Sequence, residues 1–80
     1  MEIRMLRQMF QEGLLRTATI IPAPMERDRW MLVFQKANGN QERITKARTE
    51  NDKVYKRLNG ALSDAQDIGF RSVTVEFNES

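Results

Sequence analysis

The chain has no cysteine and no histidine among its 80 residues. Without cysteine it can form no disulfide and has no thiolate nucleophile. Without histidine it lacks the commonest general base and the commonest metal ligand in proteins. The absence of disulfides is typical of a cytoplasmic protein, and this is the location that we predict.

Long apolar runs and glycine-rich loops are also missing. The apolar run WMLVF at 30–34 has the length of a strand, whereas a membrane-spanning helix needs about 20 apolar residues. The N-terminal stretch lacks the continuous apolar region of a signal peptide. The four glycines are scattered, so they form no phosphate-binding loop. We therefore expect no membrane association, no cofactor and no small-molecule substrate.

The remaining candidates for acid–base chemistry are carboxylates, lysines and Tyr55. Asp64 and Asp67 are three residues apart on a predicted helix, and such a pair is able to bind a divalent ion. Carboxylates at this spacing on an exposed face more often only solvate the helix. We predict no catalytic residue and no metal ligand, so we do not expect an enzyme.

Two segments have the apolar spacing of a helix. Apolar residues recur three and four positions apart in residues 2–12, and Gly13 then favours a helix end. The same spacing predicts a second helix over residues 50–68. At its start, Thr49 and Asp52 approximate a capping box.

β-branched and aromatic residues, many of them alternating with polar ones, favour strands. This pattern predicts four strands, at residues 15–21, 30–36, 41–47 and 70–77. Asn38 and Gly39 lie between the second and third strands, which predicts a hairpin with a type I′ turn.

The predicted order is α-β-β-β-α-β, which indicates an α+β fold in a small single domain over residues 1–80. We expect an antiparallel meander with the two helices packed on one face. The last strand follows a helix, so it can pair in parallel beside either the first or the third strand. Residues 78–80 are predicted to be frayed.

Positive charge is concentrated in one stretch of the sequence. The chain has 13 lysines and arginines against 11 acidic residues, a net charge of +2. Residues 46–57 contain five basic and two acidic residues, a net charge of +3, so the other residues sum to −1. Cations of this kind contact nucleic-acid phosphates. We predict a nucleic-acid-binding surface, for DNA or RNA, formed by Lys46, Arg48, Lys53, Lys56 and Arg57.

We place Lys46 and Arg48 at a strand end and its loop, and the other three basic residues on the second helix. Two alternative interpretations remain open. The charges are also typical of a solvated helix face, and Glu50 and Asp52 weaken the positive field. The low overall charge and the exposed strand and helix surfaces also fit a protein–protein interaction module or a homodimer that binds no nucleic acid.

Five short segments suggest a family. IIPAP, WMLVF, RITKAR, VYKRLNGAL and IGFRSVTVEF resemble small accessory proteins of conjugative plasmids and integrative elements, of the partition-associated or plasmid-maintenance type. The resemblance covers roughly residues 14–77. It implies a non-enzymatic accessory or regulatory protein of a mobile genetic element, with Arg48 as the polar residue of most interest. The order α-β-β-β-α is also that of double-stranded-RNA-binding domains, but their glycine and proline pattern is missing.

Overall fold

The structure, a computed structural model, describes residues 1–46 and 51–77. These contain two helices and a five-stranded mixed sheet, so the predicted α+β class is confirmed. The predictions for Arg48 and for residues 78–80 lie outside the described residues. The elements are α1 (Ile3–Gln11), β1 (Leu15–Pro22), β2 (Trp30–Lys36), β3 (Gln41–Arg43), β4 (Val54–Tyr55), α2 (Leu58–Ile68) and β5 (Thr74–Val75).

The sheet is built around β1 and β2, which pair antiparallel over their full lengths. β3 and β4 share the other edge of β2: β3 lies opposite residues 33–35 and β4 opposite residues 30–31. β5 pairs in parallel with β1, with Thr74 opposite Thr19. The last strand therefore lies beside the first strand and not beside the third.

The hairpin between β2 and β3 is confirmed, but its predicted type I′ turn is wrong. A type I′ turn needs two residues with positive φ. Here Gly39 has a φ of 92°, whereas Asn38 has a negative φ. The Lys36 amide donates to the Asn40 carbonyl at 2.7 Å and closes a loop of three residues, 37–39. A single left-handed glycine is typical of such a loop.

The second helix begins at Leu58, so the predicted start near residue 50 is wrong. Val54 and Tyr55 instead form β4, opposite Met31 and Trp30. β-branched and aromatic residues fit a pleated strand, and the free edge of β2 supplies hydrogen-bond partners for it. The predicted capping box is also wrong, because the residue at the N-cap of α2 is Arg57.

Both helices pack on one face of the sheet, as predicted. Leu6 of α1 and Ile68 of α2 belong to one buried cluster with the sheet residues Ile20, Leu32 and Phe34. No buried polar or charged residue occurs among residues 1–46 and 51–77. In this part of the chain the interior is therefore held together by apolar packing.

The helices of the described segments are short: α1 has nine residues and α2 has eleven. In residues 1–46 and 51–77, neither of them has the length and apolar character needed to span a bilayer.

Candidate nucleic-acid interface

Between β3 and β4, the described residues on either side of positions 47–50 lie antiparallel to each other. Thr45 lies opposite Asp52 in an antiparallel bridge. The Lys46 amide donates to the Asn51 carbonyl, and the Lys53 amide donates to the Ile44 carbonyl, both at 3.0 Å. We call residues 44–46 and 51–53 the hairpin arm. Ile44 is 2% exposed and anchors the arm in the core.

The hairpin arm changes the setting of the predicted binding residues. Lys46 and Lys53 lie on its two strands, and Lys56 and Arg57 lie in the exposed connection between β4 and α2. The prediction that Lys53, Lys56 and Arg57 lie within a helix is therefore wrong. The helical spacing was misleading because β4 occupies positions 54–55, inside the predicted helix.

Lys53 is held by a partly buried carboxylate of α2. Its Nζ atom donates to Asp64 Oδ2 at 2.8 Å, and the Tyr55 hydroxyl donates to the same oxygen at 2.6 Å. The Lys53 ammonium also lies 5.2 Å from the centre of the Tyr55 ring, within the range of a cation–π contact. Burial, and then the hydrogen bond to Asp64, raise the pKa of Tyr55 above its ordinary value. Together these contacts fasten β4 and the hairpin arm to α2.

Two acidic residues in this region, Asp52 and Asp64, are each paired with a basic residue. Asp52 accepts a hydrogen bond from Arg43 Nη1 at 3.1 Å, and Asp64 binds Lys53. Lys46, Lys56 and Arg57 form no ion pair within residues 1–46 and 51–77. Arg43 is not one of the predicted binding residues. Asp52 therefore offsets the charge of Arg43 more directly than the charges of Lys46, Lys56 and Arg57.

The start of α2 departs from the pattern that stabilises helices. Arg57 occupies the N-cap position with extended backbone, and its side chain makes no capping hydrogen bond. Asparagine, aspartate and serine are preferred at this position. The first turn of α2 contains no acidic residue, and positive charge near a helix N-terminus is unfavourable. Local departures of this kind are typical of functional positions.

A groove of about 550 Å³ lies between the start of α1 and the hairpin arm. The Met1 carbonyl accepts a hydrogen bond from the Thr45 amide at 2.8 Å, which fixes the two segments side by side. The described residues that line the groove are Glu2, Ile3, Arg4, Ile44, Thr45, Lys46 and Lys53. Sequence reasoning did not associate Arg4 with the basic stretch, and no signal in the linear spacing connects them.

Asp64 and Asp67, the pair considered for a metal site, have separate partners. Asp67 binds Arg7 of α1, whereas Asp64 binds Lys53 and Tyr55. Over the part of the chain that the structure describes, no three His, Cys, Asp or Glu residues are grouped closely enough to hold a metal ion. The two carboxylates join α2 to α1, to the hairpin arm and to β4.

Comparison of the chain with protein-family models, curated proteins and solved structures finds no match. The resemblance to accessory proteins of mobile elements therefore stays a prediction that rests on the short segments quoted above.

Proposed function

We propose that this protein binds the phosphate backbone of nucleic acid. The binding surface is formed by the hairpin arm and the start of α2. The proposal assigns no catalytic role to the chain. Its place as an accessory or regulatory protein of a mobile element follows only from the sequence resemblance.

One observation carries the proposal. Lys46, Lys56 and Arg57 come from one short stretch of the chain, are exposed, and have no ion-pair partner in the described residues. Two of the three, Lys56 and Arg57, lie where positive charge disfavours the following helix. An anionic partner would offset that charge and would also be attracted by the helix N-terminus. Phosphates are anions of this kind, and they dominate the affinity of nucleic-acid-binding proteins.

The aromatic residues near this surface favour contacts with phosphates over contacts with bases. Tyr55 is 6% exposed and cannot stack on a base without leaving the core. Trp30 is half-buried and packs edge-to-face against Phe77, with their ring centres 6.2 Å apart. Sequence preference depends on base contacts or on the shape of the nucleic acid. We expect binding that depends strongly on salt and weakly on sequence.

The test is a binding titration with labelled single-stranded and duplex oligonucleotides at a low and a moderate salt concentration. The test variant changes Lys46, Lys56 and Arg57 to glutamine. The control changes Arg16, Arg27 and Arg71 to glutamine, which removes the same charge from exposed positions outside the proposed surface.

We expect affinity to fall as salt rises, with a log–log slope near −0.9 per phosphate contact on duplex DNA. The test variant should lose affinity, and its salt slope should be shallower by the contribution of up to about three phosphate contacts. The control should stay close to the wild type. Absence of wild-type binding at low salt would reject the proposal. The interaction module or homodimer would then be the hypothesis to test, by light scattering.

A further inference from the structure

The groove between α1 and the hairpin arm brings basic residues together from distant parts of the sequence. Arg4 comes from the first turn of α1, whereas Lys46 and Lys53 come from the two strands of the arm. Of the described residues that line the groove, these three are basic and Glu2 is acidic. A concave surface with an excess of one charge concentrates counter-ions of the opposite charge.

The three basic side chains are not equally available. Lys53 is already bound to Asp64 Oδ2, so part of its charge is compensated within the protein. Arg4 and Lys46 are exposed and form no ion pair with any residue in segments 1–46 and 51–77. The attraction of the groove for an anion therefore depends mainly on Arg4 and Lys46, which approach it from opposite sides.

The other described lining residues suit phosphates better than bases. Ile3 contributes aliphatic surface, and Thr45 contributes a hydroxyl group. Among the described lining residues there is no aromatic ring on which a base could stack. An arginine guanidinium presents several donors in a planar fork that matches the geometry of phosphate oxygens.

We propose that this groove binds the phosphodiester backbone of the nucleic acid and that Arg4 is a contact residue for it. This inference rests on the proposed function and states where on the protein the phosphodiester backbone lies. The site extends from the basic stretch of the sequence across to α1, with Arg4 and Lys46 on either side of the bound backbone. Lys56 and Arg57 do not line the groove and contribute from outside it.

The experiment measures the affinity of Arg4→Gln for the same labelled oligonucleotides across a series of salt concentrations. Glutamine is a good helix former, so the change removes the charge at little cost to α1. Arg4→Lys restores the charge without the planar fork. Arg71→Gln is the matched control, because Arg71 is exposed and lies beside Leu62 and Gln66, on a different surface. Circular dichroism verifies that each variant is folded.

We expect Arg4→Gln to weaken binding by about three- to tenfold at low salt and to reduce the salt slope by about one contact. Arg4→Lys should recover the slope, and Arg71→Gln should match the wild type. If the backbone enters the groove as a single strand, the loss will be larger with single-stranded than with duplex oligonucleotides.

Two failures are distinguishable. If the wild type binds and Arg4→Gln behaves like Arg71→Gln, the groove assignment is wrong while the proposed function stands. If the wild type binds neither kind of oligonucleotide at low salt, the proposed function and the groove assignment both fail.

Discussion

The apolar core beneath the two helices is stabilised in a different way from the hairpin arm. The core consists of apolar side chains packed around Phe34, which is fully buried and stacks on Phe70 with 5.7 Å between ring centres. The arm and β4 each place one apolar side chain in this core, Ile44 and Tyr55, and are otherwise held by polar contacts through Asp52 and Asp64. The difference indicates that most of the folding free energy comes from the core. The exposed charges beside the arm can therefore be changed without unfolding the protein.

The largest effect is expected in the core. Phe34→Ala removes a fully buried ring from the central strand and should lower the free energy of unfolding by about 3–5 kcal/mol. Urea denaturation followed by circular dichroism measures this loss. Met25→Ala, at a position that is 92% exposed, serves as the control and should change stability by less than about 0.5 kcal/mol. Similar losses for the two variants would contradict the described core.

A smaller effect is expected at the contact that fastens β4 and the arm to α2. Asp64→Ala leaves the buried Tyr55 hydroxyl without its acceptor, which should cost about 1–3 kcal/mol. Asp67→Ala removes an ion pair whose carboxylate side chain is 57% exposed, and should cost at most about 1 kcal/mol. The same denaturation experiment compares the two. Equal losses would mean that Asp64 does not hold the arm in solution.

The start of α2 offers a change that should stabilise the protein. Arg57→Asn places a preferred residue at the N-cap and should raise the free energy of unfolding above that of the wild type, and by about 1 kcal/mol relative to Arg57→Ala. Both variants lack the charge, so both should bind oligonucleotides more weakly than the wild type. A gain in stability together with a loss of binding would show that Arg57 favours a partner at the expense of the helix. If Arg57→Asn is no more stable than Arg57→Ala, the N-cap assignment is wrong.

The last effect is confined to alkaline pH. The pKa of Tyr55 is raised in the folded protein above its ordinary value of 10.0. Above about pH 10 the unfolded chain loses this proton first. The free energy of unfolding should therefore fall with rising pH, with a slope that corresponds to at most one proton. Below that pH the hydroxyl is protonated in both states and Tyr55 contributes no pH dependence. Tyr55→Phe should therefore have a shallower decline between pH 10 and 11.5, measured by urea denaturation at each pH. Parallel declines in the two proteins would contradict this assignment.

Local sequence patterns predicted the elements whose conformation depends on residues close along the chain. The bounds of β2 and the end of α1 near Gly13 agree with the prediction, because alternation and a left-handed glycine act over a few residues. The start of α2 was wrong because Val54 continues the helical spacing of the residues after Leu58. Its strand conformation depends on pairing with Met31, far away in sequence.

The candidate site was predictable only in part. The net charge of residues 46–57 directed attention to a stretch in which Lys46, Lys56 and Arg57 are exposed. The charge count could not reveal that Asp64 already binds Lys53, since the two meet only when α2 packs beside β4. It also could not place Arg4 across a groove from Lys46, because that neighbourhood is set by the Met1–Thr45 hydrogen bond.

The sequence by itself determined the α+β class, the antiparallel pairing of β1 with β2 and the existence of a basic stretch. Each of these depends on periodicity, turn residues or charge, which are local properties of the chain. Only the tertiary structure decided that residues 44–53 include a hairpin arm and that Arg4 faces it. β3 pairs only with residues 33–35 of β2, so the edge at residues 30–31 is free for β4. That free edge satisfies the backbone hydrogen bonds of β4, and no pattern within residues 46–57 contains this information.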